Sequence, residues 1–547
     1  MNESEVVKVI QRWRDASQEK SQWHSLYDDL ARVMLPRRLG FMSTQVEGER
    51  RTDDIFDGTP MQGARGLANA VGGMLRPEGR AWFHIAVDSD AVESTLEVRD
   101  WLAQVENILR RALDNPRARF RQAVGEADQD LVVLGTAIIF TGEGKRKNHL
   151  LFQDVPLVNA TPMFDDEGAP EGLFRQRMFR VKHVAEMFGE NALSDESRKK
   201  LVDKPDDKIA VLHAVLPRPG SREDAMLARN LPFASRWIEI EAKRELSEGG
   251  FHEFPFAVPR WDTSSGESMG RSPGMLALPD ADTLQAMGET ILIAGQRAAD
   301  PPLGVPNDGA FDAINTFPGG LAYYDVETAA AIGRPPFFPI ESGTNLPITR
   351  DMQHDARQQV FAAFFRNVLN LPVEGPQMTA TEVIQRKEEF IREIGPVFGR
   401  LESDYTAPVI ERAFMVMLRS GSFPPIPQAL QGQNVRFEYE SPVKRIRQQT
   451  EAAAARMWAQ EMMALAQGGK PEALDLVNAD ELGRYGAEAL GIPRAIVNSE
   501  ETVQKIREAR QQAAEAQAKQ QQAAAALQSM DTAAGAMQKA GMTEEAA

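Results

Sequence analysis

The stretch from Gly266 to Ser272 comes nearest to a motif for chemistry on nucleotides. It reads Gly-Glu-Ser-Met-Gly-Arg-Ser, whereas a phosphate-binding loop requires G-x-x-x-x-G-K-[S/T]. The spacing between the two glycines is one residue too short, and Arg271 stands where the phosphate-binding lysine is needed. No strand of the buried type leads directly into the stretch. We therefore interpret it as a turn, and the sequence predicts no cofactor.

The remaining polar residues do not indicate a metal site or a catalytic set. The seven histidines are scattered without an H-E-x-x-H spacing, and the chain has no cysteine. The acidic run Asp165–Gly168 lacks the alternating ligands of an EF-hand loop, so a turn is the better interpretation. The basic run Gly142–Lys147 is more typical of a solvated turn than of a contact with DNA or a partner. These patterns predict a protein that is not an enzyme.

Length and charge narrow the class further. At 547 residues, 42% of them hydrophobic, the chain is expected to form about three or more domains with real cores. The net charge of −17 argues against tight binding of nucleic-acid phosphates, which relies on clustered Lys and Arg. It does not argue against DNA that slides past, because an acidic lining would avoid strong phosphate contacts. No run of about 20 apolar residues and no signal-peptide pattern is present, so we expect a soluble intracellular protein.

Hydrophobic spacing predicts a mainly helical first part of the chain. Apolar residues at intervals of three and four indicate helices between Val6 and Met34, and Pro36 ends the last of them. Further helices are predicted at 59–75, where small residues suggest close packing, and at 95–113. A strand is predicted at 81–87.

The part of the chain from 136 to 261 is richer in strands. A hairpin is expected between Thr136 and Phe152, with its turn at Gly142–Gly144. Further strands are predicted at 174–181, 209–216, 236–241 and 251–256. Short helices are predicted between them, at 184–188 and 195–202.

Two helical segments flank a long insert that is rich in Pro and Gly. The first helix covers about 276–300, with Leu284, Met287, Ile291 and either Ile293 or Ala294 on one face. The insert, 301–347, has the composition of short strands and turns. The second helix covers about 348–370. We interpret this arrangement as two helices that leave a body, carry a small domain and return.

The segment after the second helix, Leu371–Met378, belongs to neither neighbouring helix. Its apolar residues with Pro and Gly fit a connector between helices as well as a loop that projects into a channel. Thr379 and Glu382 then form a capping box, which predicts the start of a long helix. Pro396 and Pro408 are expected to bend that helix.

The C-terminal part is predicted to be helical after one further strand. The strand covers 434–440 and the next helix 443–467. Beyond Thr502 the chain is dominated by Ala and Gln, which predicts a helix that is marginal alone and leans on copies of itself. Taken together, the segments predict an α+β fold that is predominantly helical.

The order of these pieces resembles the head-to-tail connector, or portal, family of short-tailed bacteriophages. The resemblance covers most of the chain and rests on the order and spacing of short motifs. These are Leu30–Pro36, Asp54–Asp57 with the small-residue helix after it, Arg80–Phe83, Asp130–Thr136, Gly270–Pro273 and Met378–Val383.

The resemblance implies a ring of about twelve identical subunits at one capsid vertex, through which double-stranded DNA is packaged and later ejected. It implies the portal architecture of wing, stem, clip, crown and C-terminal helical barrel. The implied regions are a wing at 1–275 and 379–445, stem helices at 276–300 and 348–370, a clip at 301–347, a channel loop at 371–378, a crown at 446–500 and a barrel helix at 501–547.

Two of these regions would carry the function. The channel loop would face DNA, and the helix cap of Thr379 and Glu382 would follow it. The channel-loop residues are Asn370, Leu371, Pro372, Val373, Glu374, Gly375, Pro376, Gln377 and Met378. The clip residues for docking of the motor and the tail are Pro306, Phe311, Phe317, Tyr323, Tyr324, Phe337 and Phe338.

The same resemblance implies partners and a location. The partners would be other copies of the chain, the terminase large subunit, major capsid and scaffolding proteins, tail adaptor and tail proteins, and internal core or ejection proteins. DNA would pass without sequence specificity, and no membrane would be involved. The protein would lie at the head–tail junction of the virion, and in the host cytoplasm during assembly. Two alternatives stay open: another ring-forming virion protein, such as a tail adaptor or internal core protein, and an enzyme such as a nuclease or ATPase.

Overall fold

The fold combines many helices with antiparallel sheets, which confirms the α+β class. The computed structural model describes residues 3–42, 48–78, 81–88, 95–144, 150–220, 227–299, 303–304, 338–339, 346–366, 395–440, 442–490, 492, 496–498 and 502–517. The chain divides into two compact units, Met1–Val443 and Lys444–Ala547. Across those ranges, no helix combines the length and the apolar character needed to cross a membrane.

The first helices lie where hydrophobic spacing predicts them. They are α1 (Glu3–Lys20), α2 (His24–Met34) and α3 (Thr59–Leu75). The apolar face of α2 is buried, with Tyr27 and Leu30 fully enclosed, and a short 3-10 turn begins at Pro36. The small residues of α3 permit the expected close packing: a Cβ on Gly72 would lie 2.7 Å from Oδ2 of Asp128.

The main core of the larger unit joins segments that are distant in the sequence. Strand β1 (Phe83–Val87) pairs antiparallel with β12 (Val435–Tyr439). Helices α4 (Leu96–Asp114) and α5 (Phe120–Leu134) pack on the same core, through side chains such as Leu109 and Leu131. The helix predicted at 95–113 and the strands predicted at 81–87 and 434–440 are therefore confirmed to within two residues.

A three-stranded sheet contains the predicted hairpin and corrects two predictions. Strands β2 (Ile139–Glu143) and β3 (Leu150–Asp154) pair antiparallel, but β2 includes Gly142 and Glu143, so the turn does not begin at Gly142. The single strand predicted at 251–256 is wrong. Residues 252–255 leave one sheet for another, and β9 (Phe256–Ala257) joins the β2 edge of this sheet. Pro255 lies at the transition, where its missing N–H cannot break a ladder.

A five-stranded antiparallel sheet, in the order β4-β5-β6-β7-β8, forms a second layer. Its strands are β4 (Ala160–Phe164), β5 (Pro170–Arg180), β6 (Lys208–Pro217), β7 (Phe233–Glu239) and β8 (Arg244–Phe251). Alternation along β6 separates the two faces: Leu212 packs with α1, whereas Val211 packs with the helices on the other side. Those helices are α6 (Val181–Phe188) and α7 (Asp195–Asp203).

Two longer helices carry the insert between them. Helix α8 (Pro273–Ala299) begins three residues before the predicted start, and α9 (Leu346–Ala363) packs against it. On α8, Leu284 and Ala294 are buried while Ile293 is exposed, so Ala294 completes the inward face. The prediction of one continuous helix to Asn370 is wrong, because α9 ends at Ala363 and a turn follows at 364–365. Arg366 is helical again, and 367–370 lie outside the described residues. Phe365 has a positive φ of 55°, which interrupts the helix after the buried Phe364.

The helix that runs back to the core is distorted beside Pro408, where the sequence predicts a bend. Residues 395–401 are α-helical, Glu402–Thr406 form a π-helix, and α10 (Ala407–Arg419) follows. Pro408 lacks the N–H that would continue regular hydrogen bonding, and the widened turn accommodates this loss. The predicted bend at Pro408 therefore takes the form of a π-helical turn.

The smaller unit has helices and short connecting turns, and no strand, in its described part. Helix α11 (Pro442–Gln467) lies within one residue of its predicted start, and α12 (Ala479–Ala489) follows a short 3-10 segment. Residues 502–517 form the described part of the predicted Ala/Gln helix. Within this unit Arg507 is ion-paired with Asp480 at 2.6 Å.

Candidate functional site

Most of the predicted functional residues lie outside the described residues. This applies to the whole channel loop, to Thr379 and Glu382, and to every predicted clip residue except Phe338. Their roles remain predictions. The structure does describe the two helices that lead to and from the insert, and the contacts that hold these helices to the body.

The two ends of the insert lie side by side. Strand β10 (Leu303–Gly304) pairs antiparallel with β11 (Phe338–Pro339), so that Gly304 is opposite Phe338. Because α8 leads into β10 and β11 precedes α9, the chain leaves and re-enters the helix pair at one place. This is the out-and-back course that the sequence predicts.

One carboxylate joins the second long helix, α9, to the body. Asp57, which is 8% exposed, accepts hydrogen bonds at Oδ2 from Nε and Nη2 of Arg357 on α9, at 2.9 and 2.8 Å. Its Oδ1 accepts the backbone N–H of Thr59, the first residue of α3, at 2.8 Å. Asp57 therefore fixes the start of α3 and the side of α9 at the same time.

The other long helix reaches the same place through an amide. Oε1 of Gln285 on α8 accepts the backbone N–H groups of Phe56 and Asp57 at 2.8 and 2.9 Å. Nε2 of Gln285 donates to the carbonyl oxygen of Asp57 at 2.7 Å. Gln353 on α9 adds a weaker donor to Asp57 at 3.4 Å. The amide oxygen and nitrogen of Gln285 are thus both satisfied where burial would otherwise be costly.

The charge of Asp57 is stabilised in this setting. Burial by itself would raise the pKa of Asp57, but the hydrogen bonds from Thr59 and the guanidinium of Arg357 outweigh it and lower the pKa. The carboxylate is therefore ionised at neutral pH and holds a charge-assisted contact to α9.

Glycines at two positions of the same region allow neighbouring elements to pack closely. A Cβ on Gly288 of α8 would lie 2.9 Å from Cβ of Phe56, and one on Gly63 of α3 would lie 2.6 Å from the ring of Phe364. Only glycine permits these approaches, because any side chain would force the neighbouring element away.

The start of α8 is anchored separately, against the end of α5. Gly135 has a φ of +80°, and a Cβ on it would lie 2.3 Å from the carbonyl oxygen of Gly270. Thr136 accepts the N–H of Gly270 at 2.8 Å, and Oγ of Ser272 donates to the carbonyl oxygen of Val133 at 2.7 Å. The motifs 130–136 and 270–273 therefore contact each other. We call the Asp57 contacts and this crossing, together, the helix root.

The outer sides of the two helices differ from the root. Leu276, Leu292 and Ile293 on α8 are 72%, 53% and 41% exposed, and Met352 on α9 is 52% exposed. The rest of the described chain leaves these apolar side chains uncovered. In the smaller unit Met457, like Leu476, is also exposed.

The glycine-rich stretch at 266–272 is occupied with contacts of its own. Arg271 forms an ion pair with Glu267, lies over the ring of Trp23 and bridges through its backbone to Asp262. The stretch is therefore a turn that precedes α8, as its spacing indicates. Within the described ranges, no group of three or more Asp, Glu or His side chains is placed to hold a metal ion.

Buried charge networks are the main feature that sequence reasoning missed. Arg38 bonds Asp130 at 2.8 Å and also pairs with Asp154. Burial raises the pKa of Asp154 to about 7, and the neighbouring charge of Asp130 adds to this, whereas Arg38 opposes it. The sequence contains Arg37-Arg38 in a predicted loop, but nothing in it indicates partners so far away along the chain.

A second network links three helical elements. Asp128 of α5 pairs with Arg76, and it accepts the hydroxyl of Tyr405 at 2.9 Å. Tyr405 lies in the π-helical turn, and Arg76 follows α3. The network therefore fixes the body on which the helix root is built.

Comparison with known proteins identifies relatives over nearly the whole chain. The family described as "Bacteriophage head to tail connecting protein" matches residues 7–497. A probable portal protein of Bordetella phage BPP-1 is 29% identical over 540 residues, covering 94% of this chain and 93% of that protein. The portal protein of Salmonella phage epsilon15 is 26% identical over 523 residues, with the same coverage.

Solved structures give weaker similarity. A chain from the virion of a native gene transfer agent particle has a TM-score of 0.36 and 12% identity, covering 81% of this chain and 94% of that chain. A chain from the neck of an empty gene transfer agent particle has a TM-score of 0.37 and 12% identity, covering 81% and 95%. At these TM-scores the structural similarity carries no argument.

Proposed function

This chain belongs to the family of bacteriophage head-to-tail connecting proteins, and from that premise we propose how its parts form a portal. The protein acts as the head-to-tail connector of a phage particle, the passage for DNA at one capsid vertex. The observation that carries this function is the family match over residues 7–497. It favours a portal over a tail adaptor or an internal core protein, since both relatives are portal proteins.

The chain would be divided as the family resemblance implies. Helices α8 and α9 would be the stem, and the insert between them, closed at its base by β10 and β11, would be the clip. The body at 1–275 and 379–445 would be the wing, with the crown at 446–500 and the barrel helix at 501–547. The side-by-side pairing of Leu303 with Pro339 supports the stem and clip assignment.

Ring formation would complete the exposed apolar surfaces. A closed ring is a heterologous assembly, in which each subunit presents one face to one neighbour and a different face to the next. Leu276 and Leu292 on α8 and Met352 on α9 are exposed in the single chain and would be covered at such contacts. About twelve copies would close the ring, as the resemblance implies.

The helix root would supply the rigidity that a conduit needs. Asp57 and Gln285 hold both long helices to α3. A load on the clip would therefore be transmitted to the body rather than bending the pair at its base. The channel loop at 370–378 would lie beside DNA, and the net charge of −17 would limit phosphate contacts that slow sliding.

The proposed partners follow from these assignments. The clip would dock the terminase large subunit during packaging and tail adaptor proteins afterwards. The wing and the crown would contact capsid, scaffolding and internal core proteins in the assembling head, within the host cytoplasm.

Electron microscopy of the purified protein tests the assembly. We expect rings with a central hole. A protein that stays monomeric at high concentration would contradict the proposed ring.

Deletion of 302–339 tests the clip. The pairing of its two ends predicts that rings still form, while motor docking and DNA packaging are lost. Normal packaging by the deletion protein would overturn the assignment of the clip.

Charge in the channel loop gives a narrower test. Replacing Val373 and Met378 with Asp should permit ring assembly but impair packaging or retention of DNA. DNA-filled heads in normal yield would place the loop away from the channel.

A further inference from the structure

A cavity in the body has no role in the conduit described so far. It has a volume of about 260 Å³ and lies between α1 and the ends of β6 and β7. Val9 of the helix and Leu216 and Ala234 of the strands line it. None of these residues belongs to the helix root.

Four basic side chains surround this cavity. Lys8 and Arg12 lie one turn apart on α1, and Arg218 and Arg236 lie on the facing side of the sheet. Among the described residues, the carboxylate that pairs with the two arginines is Glu248, at 2.9 Å from Nη2 of Arg218 and 3.7 Å from Nη2 of Arg236. Within the described ranges Lys8 and Arg12 form no ion pair, so Glu248 is the one carboxylate paired with this set of four cations, in a chain whose net charge is −17. The lining of the cavity therefore carries a local excess of positive charge.

Two of the arginines also carry hydrogen-bond donors that lack a partner. Nη1 of Arg218 and Nε of Arg236 are buried and make no hydrogen bond. A buried, unpaired donor is unfavourable, so native proteins rarely keep one without a ligand, an ion or water to satisfy it. The side chain of Arg218 is only 14% exposed, so its position is set by the fold.

The rest of the lining indicates what kind of anion fits. Val9, Ala214, Leu216, Pro217 and Pro219 give the cavity a largely apolar wall. A nucleic-acid backbone is bound by exposed Lys and Arg along a stripe and gains nothing from such a wall. A carboxylate that is carried next to an aliphatic side chain matches both parts of the lining.

We propose that this cavity, the α1 cavity, binds an acidic peptide segment of another protein chain. One carboxylate of the segment accepts hydrogen bonds from Arg218 and Arg236, and a neighbouring apolar side chain contacts Val9 and Leu216. Lys8 and Arg12 attract the segment and lie at its outer edge. The inference does not depend on the portal function, because it uses only the contacts of α1 with the sheet.

A peptide selection tests the proposal and identifies the sequences that bind. A randomised peptide library is presented to the intact full-length protein, and peptides that also bind the double variant Lys8→Glu, Arg12→Glu are removed. We expect the retained peptides to combine Asp or Glu with aliphatic residues. Retention of basic peptides, or no enrichment at all, would overturn the proposal.

The best retained peptide is then synthesised and its affinity measured by calorimetry. Lys8→Glu with Arg12→Glu should weaken binding about tenfold or more, because two attractive charges become repulsive. Arg236→Gln should weaken it about as much, since a charged donor is lost. Arg14→Glu is the matched control on the same helix, as Arg14 is exposed and lies outside the cavity lining. An equal loss of affinity in this control would show that binding depends only on the overall charge of the helix, and it would overturn the proposal.

Two further measurements separate this inference from other outcomes. Competition by a double-stranded oligonucleotide at equal concentration would assign the site to nucleic acid instead. A gain in peptide affinity when Glu223 and Asp224 are replaced by Gln and Asn would assign it to that acidic stretch of the same chain, which follows Arg218 in the sequence. Ring formation by the Lys8→Glu, Arg12→Glu variant should be normal, so loss of peptide binding and loss of the portal assembly are distinguishable.

Discussion

The helix root and the outer faces of α8 and α9 belong to the same two helices but are built in opposite ways. At the root, Gln285 bonds the backbone of Phe56 and Asp57, and glycines occupy positions where an added Cβ would lie within 3 Å of a neighbouring atom. On the outer faces, Leu276 and Leu292 remain more than half exposed. The root is complete within one chain, whereas the outer faces would be covered only in the proposed ring.

This difference teaches how one chain can be rigid and still be a part of something larger. Contacts that must not change are made inside the chain, where their geometry is fixed by folding. In the proposed ring, association would remove the exposed apolar side chains of α8 and α9 from water. The following substitutions are arranged by the loss of unfolding free energy that we expect in the single chain.

The largest loss is expected at the crossing of Gly135 with Gly270. Gly135→Ala adds a Cβ only 2.3 Å from the carbonyl oxygen of Gly270, in a backbone with φ +80°. We expect a loss of about 3 kcal/mol or more, because neither backbone can move without shifting α8. Urea unfolding measures it.

Gly66→Ala is the matched control for that substitution. Gly66 lies inside α3, and no atom is within 4 Å of the position its Cβ would take. Alanine there should stabilise the helix by up to about 1 kcal/mol. Similar losses in both variants would show that the crossing is not special.

A loss of about 2 kcal/mol is expected for Asp57→Ala, which removes the acceptor of the Thr59 N–H at the start of α3 and the partner of Arg357. The pKa of Asp57 is lowered in the folded state, so its contribution is present above its ordinary value of 3.8 and is lost as the pH falls through the lower folded pKa. Urea unfolding at several pH values should show the difference from wild type shrinking in acid.

Asp54→Ala serves as the control, since Asp54 is exposed in the same motif. It should change stability by less than about 0.5 kcal/mol. An Asp57 variant as stable as this control would mean that the root does not depend on the carboxylate.

An intermediate loss of unfolding free energy is expected when His84 is replaced. Its side chain is partly exposed and lies between Glu106 and Glu440. Hydrogen bonds to these two carboxylates raise the pKa of His84 to about 9, although burial opposes them. The stabilisation is complete below the ordinary value of 6.5 and is lost as the pH rises through about 9.

His84→Gln should therefore cost on the order of 1 kcal/mol below pH 6.5, after screening by solvent, and little above pH 9. Thermal unfolding across this range measures the effect. A cost that does not vary with pH would show that packing rather than charge is lost.

The smallest loss in the single chain is expected on the outer face of α8. Leu292→Asp with Ile293→Asp should change the unfolding free energy by about 0.5 kcal/mol or less, because both side chains are exposed. The same variant should fail to form rings in analytical ultracentrifugation. Val202→Asp, on an 82% exposed side chain of α7, should leave assembly normal. Intact rings from the α8 variant would show that the outer face of α8 is not needed for assembly.

Local patterns predicted most of the elements correctly. Helix α3 lies at its predicted bounds, and α2 ends just before Pro36 because proline cannot continue it. The errors fall where tertiary contacts override a pattern. The segment predicted as one strand at 251–256 contributes its two ends to two different sheets. Helix α9 ends at Ala363, just before Phe364, whose side chain is buried.

The sequence indicated the motifs of the candidate site but not the contacts between them. The motifs at 54–57, 130–136 and 270–273 indicated the family, but not that two of them contact each other. The role of Asp57 could not be predicted, since its partners Gln285 and Arg357 are 228 and 300 residues away. The basic α1 cavity was also invisible, because Lys8 and Arg236 look like ordinary surface residues in the sequence.

The period of the apolar residues and the position of the prolines predicted the α+β fold, and the order of the motifs carried the resemblance to the portal family. These signals are local, and local backbone preference is enough to express them. Only the tertiary structure decided which charges meet, which glycines allow contact and which apolar side chains stay uncovered. Those outcomes depend on residues brought together from distant parts of the chain, where hydrogen bonding and burial act over a few ångströms of space rather than along the sequence.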